Sequence, residues 1–266
     1  MCELFAMSAR HPTTVSLSLE EFSRHGGLSG PHKDGWGIAW YEEGDIRLVK
    51  EKDPAASSAC VRFIETNPFS SSLVLSHIRR ATLGSVASRN CQPFVRELGG
   101  VWHCFAHNGD LKGIAADRRF RAEGFLPVGE TDSEQAFCAL MDALRPLWSC
   151  AGVPPLAERR RVVAGFAATL RELGPANFLY CDGDALFAHA DRRYQSDGSI
   201  KPPGLWRLAR HCPAGGEVAA EGLTISSRDG EQEVCLLASV PLTAEGWTAL
   251  GEGEIVVARQ GRIEPN

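Results

Sequence analysis

The second residue of the chain is a cysteine, and a cysteine at that position can act as a nucleophile without a histidine. If Met1 is removed, as the small side chain of Cys2 favours, the residue carries both a thiol and a free α-amine. An α-amine has a pKa of about 7.7–8.0, so near neutral pH it can accept the thiol proton and later return it to a leaving amine. The position therefore indicates acyl transfer through a terminal thiol, a chemistry that is lost if Met1 is retained.

A single cysteine at position 2 is most often incidental, so the hypothesis depends on further polar segments. Each of four such segments follows or opens a predicted strand or helix: Asp34–Tyr41, Ser76–Gly84, His107–Asp110 and Gly129–Glu134. Each also has an ordinary structural explanation. Asn108-Gly109 is a common turn dipeptide, Asp132 is an acid at a helix start, and Arg79 is a charge at a strand end.

Taken together and in this order, the segments carry a family resemblance. Residues 2–5 are Cys-Glu-Leu-Phe and residues 34–38 are Asp-Gly-Trp-Gly-Ile, and the other three polar segments follow in order along the chain. It resembles the class II glutamine amidotransferases, whose glutaminase domains are N-terminal-nucleophile hydrolases. The resemblance spans residues 2–140 by motif, extends more diffusely to the C-terminus, and is closest to the stand-alone, single-domain members.

The resemblance implies three catalytic residues. Cys2 attacks the side-chain amide carbon of glutamine and forms a thioester, which water hydrolyses to glutamate after ammonia has left. Asn108, through its side-chain amide, and Gly109, through its backbone N–H, form the oxyanion hole. Preorganised donors of this kind typically contribute about 2.7–4 kcal/mol each to transition-state stabilisation.

The resemblance also implies three substrate-binding residues. Arg79 pairs with the α-carboxylate of glutamine, Thr82 contacts the same region, and Asp132 holds the α-ammonium group. Many members have Arg-Trp-Ala-Thr-His-Gly where this chain has Arg-Arg-Ala-Thr-Leu-Gly at residues 79–84. Arg80 and Leu83 therefore change the walls of the pocket.

The sequence leaves the use of the ammonia open. Larger amidotransferases carry a synthase module that consumes it, whereas the residues after the second motif helix continue the hydrolase pattern. One possibility is a separate ammonia-accepting protein. A second is a γ-glutamyl hydrolase acting on a small γ-glutamyl metabolite, and a third is a non-catalytic subunit of a larger complex. The retention of Cys2, Asn108 and Asp132 argues against the third.

Composition excludes several other functions. The 266 residues carry a net charge of −5, so no overall basic field exists to hold nucleic acid or an anionic membrane. No apolar run approaches the roughly 18–20 residues of a membrane span, and the N-terminus does not have the pattern of a secretory signal. Nine cysteines without a C-x-x-C pair indicate a reducing compartment, so we expect a cytoplasmic protein.

No cofactor or metal is expected. Neither glycine-rich nucleotide-binding motif follows a predicted strand. His103 and His107 lie four residues apart, but a fourth ligand is missing nearby, so a metal site is not predicted.

Periodicity predicts strands on both sides of a helical pair. The predicted strands are Trp36–Tyr41, Ile46–Lys50, Leu73–His77, Val101–Ala106, Asn177–Cys181, Leu186–Ala190, Leu205–Ala209, Val234–Val240 and Glu254–Arg259. Capping-box spacing predicts one helix start at Ser18 and Glu21 and another at Thr131 and Glu134. An apolar stripe predicts a further helix over Leu156–Leu173, ended by Gly174-Pro175.

The order strands, two adjacent helices, strands favours an α+β architecture with mostly antiparallel sheets. The resemblance implies a four-layer αββα sandwich, the Ntn-hydrolase fold, in which two antiparallel sheets are flanked by helices. It also implies that residues 2–266 form a single glutamine amidotransferase domain.

Overall fold

A computed structural model describes residues 2–17, 33–149, 152–195, 197–212, 217–220, 223–226, 231–244 and 246–265. The helices are α1 (Ala59–Thr66), α2 (Asp132–Leu144) and α3 (Leu156–Leu170). The strands of the first part are β1 (Glu3–Leu17), β2 (Trp36–Glu42), β3 (Asp45–Glu51), β4 (Phe69–Ile78), β5 (Phe94–Leu98) and β6 (Val101–Gly109). After the helical pair come β7 (Ala176–Cys181), β8 (Leu186–His189), β9 (Arg193–Tyr194), β10 (Ile200–Lys201), β11 (Trp206–Cys212), β12 (Glu217–Ala220), β13 (Leu223–Ser226), β14 (Gln232–Ala238), β15 (Thr248–Ala249), β16 (Ile255–Arg259) and β17 (Arg262–Ile263).

The strands form two large antiparallel sheets. The nine-stranded sheet has the order β15-β11-β14-β1-β4-β2-β3, with β13 paired to β1 and β12 paired to β13. The six-stranded sheet has the order β17-β16-β8-β7-β6-β5. Strands β9 and β10 form a separate small hairpin. The prediction of antiparallel sheets is confirmed.

Three buried clusters separate four layers. The side chains of α2 and α3 pack against β6 and β7 on the outer face of the six-stranded sheet. Those of α1 pack against β1 on the outer face of the nine-stranded sheet. The third cluster lies between the two sheets. The αββα arrangement is therefore present, and no helix of the described residues is long and apolar enough to cross a membrane.

Strand β1 shows why this layering follows from the sequence. Its side chains alternate between faces, so Leu4 and Ala6 lie between the sheets whereas Phe5 and Met7 face the helical side. Because both faces are buried, the strand is almost continuously apolar at its start, and period-two alternation of polar residues does not reveal it. We did not predict β1, β5 or α1 from the sequence.

The helix predictions are confirmed at the start of α2 and need correction at the end of α3. The Thr131 hydroxyl accepts a hydrogen bond from the Glu134 N–H at 3.2 Å, which is the predicted N-cap. Helix α3 ends at Leu170, three residues earlier than predicted, because Leu173 N–H bonds to Leu170 in a tighter turn. The helix start predicted at Ser18 lies outside the described residues.

Candidate active site

The thiol of Cys2 lies against the main chain that follows β4. The antiparallel register pairs Glu3 with Ile78, which places Cys2 beside Arg79. The Arg80 N–H donates to Cys2 Sγ at 3.3 Å, and Sγ donates to Arg80 O at 3.4 Å. Burial raises the pKa of the Cys2 thiol, an effect that the Arg80 N–H partly offsets. The thiol is therefore protonated near neutral pH, and a reaction through it needs a base.

The predicted oxyanion donor Asn108 contacts Cys2. Asn108 lies near the end of β6, and its Nδ2 donates to the backbone O of Cys2 at 2.5 Å. Asn108 is 1% exposed, so this amide is fixed by its surroundings. The contact joins the two sheets, because Cys2 precedes a strand of one and Asn108 lies in a strand of the other.

Gly109 occupies a position that has no space for a side chain. A Cβ there would lie 1.8 Å from Pro175 O and 2.7 Å from His107 Nε2. Pro175 directly precedes β7, which pairs with β6 at this end. The close packing of the two chain segments therefore requires glycine beside Asn108.

Gly109→Ala is expected to lower the free energy of unfolding by about 1–3 kcal/mol, because overpacking against a main-chain carbonyl forces the strand ends apart. Urea unfolding monitored by circular dichroism measures this change. Gly165→Ala is the matched control, since a Cβ at that exposed position of α3 meets nothing within 4 Å. Alanine there should raise the stability by about 0.8–1.0 kcal/mol through helix propensity. Equal effects at the two positions would contradict the packing argument.

Asp132 opens α2 and has its carboxylate fixed by main-chain donors. Its Oδ2 accepts from Leu111 N–H at 2.9 Å, and its Oδ1 accepts from Ser133 N–H at 2.8 Å. Asp132 is partly exposed and lines a cavity of about 300 Å³. A fixed, accessible carboxylate can bind a cation that enters this cavity.

Arg79 is buried, which the ordinary explanation of a charge at a strand end does not predict. It is 3% exposed, and its guanidinium donates to three main-chain carbonyls of the loop after β4 and to one carbonyl of the segment before β2. The shorter of these bonds run from Nη2 to Leu83 O at 3.0 Å and from Nη1 to Ser85 O at 3.1 Å. Longer bonds reach Asp34 O at 3.3 Å and Gly84 O at 3.4 Å. Arg79 therefore fixes the main chain of the loop after β4, which begins beside Cys2.

Thr82 is exposed on that loop and lines a second cavity, of about 320 Å³. Gly109 lines the same cavity, whereas Leu83 lines both this one and the cavity that contains Asp132. The structure therefore places the six predicted residues around one end of the sandwich, where the loop after β4 meets the end of β6 and the start of α2.

Three further side chains, for which the sequence predicts no role, bond the main chain of this loop. Asp34 Oδ2 accepts from Ala81 N–H at 2.8 Å, and Glu130 Oε2 accepts from Ser85 N–H at 3.0 Å. The side chain of Asn90 donates to Ser85 O at 2.9 Å. Asp34 belongs to a segment that the sequence had already singled out. Asn90 carries no comparable signal.

The rings of His103 and His107 are hydrogen-bonded to protein groups. The His103 ring bonds Tyr180 OH at 2.6 Å and Leu98 O at 3.2 Å, and burial lowers its pKa to about 4. The His107 ring bonds Ser133 Oγ at 2.9 Å. Within the described ranges, no three His, Cys, Asp or Glu side chains cluster closely enough to ligate a metal ion.

Comparison with known proteins agrees with this geometry. The family model described as "Glutamine amidotransferases class-II" matches residues 1–266. The chain is 35% identical over 260 residues to YafJ of Escherichia coli strain K12, covering 96% of both chains. It is also 32% identical over 273 residues to the uncharacterized protein MJ1515 of Methanocaldococcus jannaschii, covering 99% of this chain and 70% of the relative.

Solved structures show the same fold. A predicted glutamine amidotransferase from Pseudomonas aeruginosa PA01 superposes with a TM-score of 0.72 at 34% identity, over 100% of both chains. Glutamine phosphoribosylpyrophosphate amidotransferase from B. subtilis superposes with a TM-score of 0.59 at 14% identity, over 99% of this chain and 48% of that one, and supports the fold alone. The chain belongs to the class II glutamine amidotransferases.

Proposed function

We propose that the protein hydrolyses the side-chain amide of glutamine through a thioester on Cys2, releasing glutamate and ammonia. One contact carries the proposal: Asn108 Nδ2 lies 2.5 Å from Cys2 O, which brings an amide donor to the backbone of the nucleophile. Membership of the family supports glutamine as the substrate. The active form is the chain from which Met1 has been removed.

The reaction proceeds in two acyl transfers. Burial holds the pKa of the Cys2 thiol above its usual value, so little thiolate forms without a base. The α-amine of Cys2 is that base and accepts the thiol proton. The sulfur attacks the δ-carbon of glutamine, and the oxyanion that forms accepts hydrogen bonds from Asn108 Nδ2 and Gly109 N–H. The protonated α-amine of Cys2 then gives this proton to the side-chain amide nitrogen of glutamine, which departs as ammonia. Water then attacks the thioester, giving glutamate and the free thiol.

The α-carbon groups of glutamine need one fixed anion and one fixed cation. We assign the α-ammonium group to Asp132, whose carboxylate is already oriented by Leu111 and Ser133 N–H groups. We assign the α-carboxylate to Arg79, with Thr82 beside it. Arginine can bind a carboxylate through two parallel bonds, and the carboxylate would replace the two longest bonds of the guanidinium.

Substrates that lack one α-carbon charge test these assignments. Asp132→Asn and Arg79→Gln should each lower kcat/KM for glutamine roughly 10- to 200-fold, since a hydrogen bond to a charged group contributes about 1.5–3 kcal/mol. The loss should be smaller for Asp132→Asn on N-acylated glutamine and for Arg79→Gln on glutamine amide. Steady-state ammonia release from the three substrates measures this.

Asp45→Asn is the control, because Asp45 begins β3 opposite Glu42, at the end of β2 away from the site. It should leave kcat/KM unchanged for all three substrates. If Arg79→Gln loses equally on every substrate, Arg79 acts only as a support for its loop. If both variants lose equally on every substrate, the glutamine assignment is wrong.

We further propose that residues 2–266 act as one glutaminase domain in the cytoplasm, without a metal or cofactor, and that the ammonia is consumed by a separate accepting protein. Ammonia release by the purified protein is measured alone and with added cell extract from which this protein has been depleted. The comparison tests the need for such a partner.

A further inference from the structure

A buried glutamine side chain completes the hydrogen bonding of the strand that carries Asn108. The His107 N–H donates to Gln92 Oε1 at 2.6 Å, and Gln92 Nε2 donates to His107 O at 3.1 Å. Gln92 is 4% exposed, and His107 is 1% exposed. Both main-chain groups of the residue before Asn108 are therefore bound by one carboxamide.

The Gln92 carboxamide occupies the position beside β6 where β5 would otherwise continue as a paired strand. Strand β5 pairs with β6 up to Phe94, which lies opposite Phe105. Two residues further along the same register, residue 92 lies opposite His107. The backbone of Gln92 has left the sheet at this point, since its carbonyl O would lie 2.3 Å from a Cβ on Gly37 of the other sheet. A primary amide offers the same donor and acceptor as a peptide group, so the side chain replaces the missing ladder bonds.

The loss of these bonds would leave the buried N–H and C=O groups of His107 without partners, which is strongly unfavourable for main-chain groups removed from water. The end of β6 would then shift toward other partners. Asn108 is the next residue, and its amide is useful to the oxyanion only while it is held in place beside Cys2.

We propose that Gln92 is a positioning residue that holds Asn108 in the oxyanion hole, and this inference rests on the proposed function. Gln92 does not contact the substrate. It acts through His107, and its contribution is realised in the transition state, where the oxyanion develops.

Gln92→Met keeps the length of the side chain and removes both polar groups. It should lower kcat about 10- to 100-fold while KM changes less than about twofold, because a displacement of a catalytic group by about 1 Å can cost about 10² in rate. Rates are divided by the fraction of enzyme that a glutamine-analogue electrophile labels, so that unfolded protein does not contribute. Asn90→Leu is the comparison. Asn90 is also a buried amide, and it bonds Ser85 and Glu130. Glu130 lies two residues before Asp132, which is assigned to the substrate ammonium, so the loss of Asn90 should mainly raise KM.

A double-variant cycle separates positioning from general stability. In the Asn108→Ala background the additional cost of Gln92→Met in kcat should fall below about twofold, since the group it positions is absent. An undiminished cost in that background overturns the inference. If the wild-type protein releases no ammonia from glutamine, the proposed function fails instead. A crystal structure of Gln92→Met then decides the inference alone, with Asn108 displaced from Cys2 supporting it and an unchanged contact overturning it.

Discussion

Cys2→Ala is expected to lower the release of ammonia from glutamine by more than about 10³-fold, because the thiol is the group assigned to form the acyl intermediate. The effect should lie in kcat, since the assigned contacts of Asp132 and Arg79 with the substrate do not involve the thiol. A coupled glutamate assay on the purified variant measures it. Circular dichroism and urea unfolding should show the wild-type fold, because the Cys2 side chain is partly exposed and belongs to none of the three buried clusters.

Cys60→Ala is the control for this experiment. Cys60 is also partly exposed, but it lies in α1 on the outer face of the nine-stranded sheet. Its replacement should leave kcat within about twofold of wild type. Substantial glutaminase activity in Cys2→Ala, or a comparable loss in Cys60→Ala, would show that the thiol of Cys2 is not the nucleophile.

Asn108→Ala is expected to reduce kcat about 10²–10³-fold with little change in KM, the effect of removing one oxyanion donor. The amide already lies at Cys2 in the free protein, so its loss removes an interaction that is strongest in the transition state. Steady-state kinetics with glutamine measures both constants. Asn67→Ala removes an exposed amide at the end of α1 and serves as the control.

An effect of Asn108→Ala on KM instead of kcat would contradict the oxyanion role of Asn108. If Asn108→Ala raises KM alone and kcat is unchanged, Asn108 binds substrate in its ground state or supports the strand end. The Gln92→Met variant then has no oxyanion donor to position, so the same result would also remove the basis of the positioning role.

Elements with a clear local period are predicted from the sequence, whereas a strand that depends on distant pairing is not. Strands such as β2 and β7 and the start of α2 follow from apolar periodicity and local capping, which depend on neighbouring residues alone. Residues 4–9 of strand β1 are buried on both faces, so this part has no clear period, and the pairing of the strand passes from β14 to β13 further along. Its length depends on pairing with partners more than 200 residues away.

The residues of the candidate site also differ in how far the sequence alone identifies them. Cys2, Asn108 and Asp132 could be named because their residue types and order resemble a family. The burial of Arg79 could not, since it depends on a loop whose carbonyls converge on the guanidinium only in the folded chain. Gln92 carries no sequence signal of its own, because its role depends on the point at which β5 leaves the edge of β6.

Mass spectrometry of the intact protein after reaction with a diazo-ketone analogue of glutamine shows whether Cys2 is the N-terminal nucleophile. An N-terminal thiol nucleophile predicts a chain that begins at Cys2, with Met1 absent, and a single added mass that fragmentation assigns to Cys2. Excess glutamine should slow the labelling. Active protein that retains Met1, or label distributed over several cysteines, would contradict an N-terminal thiol nucleophile.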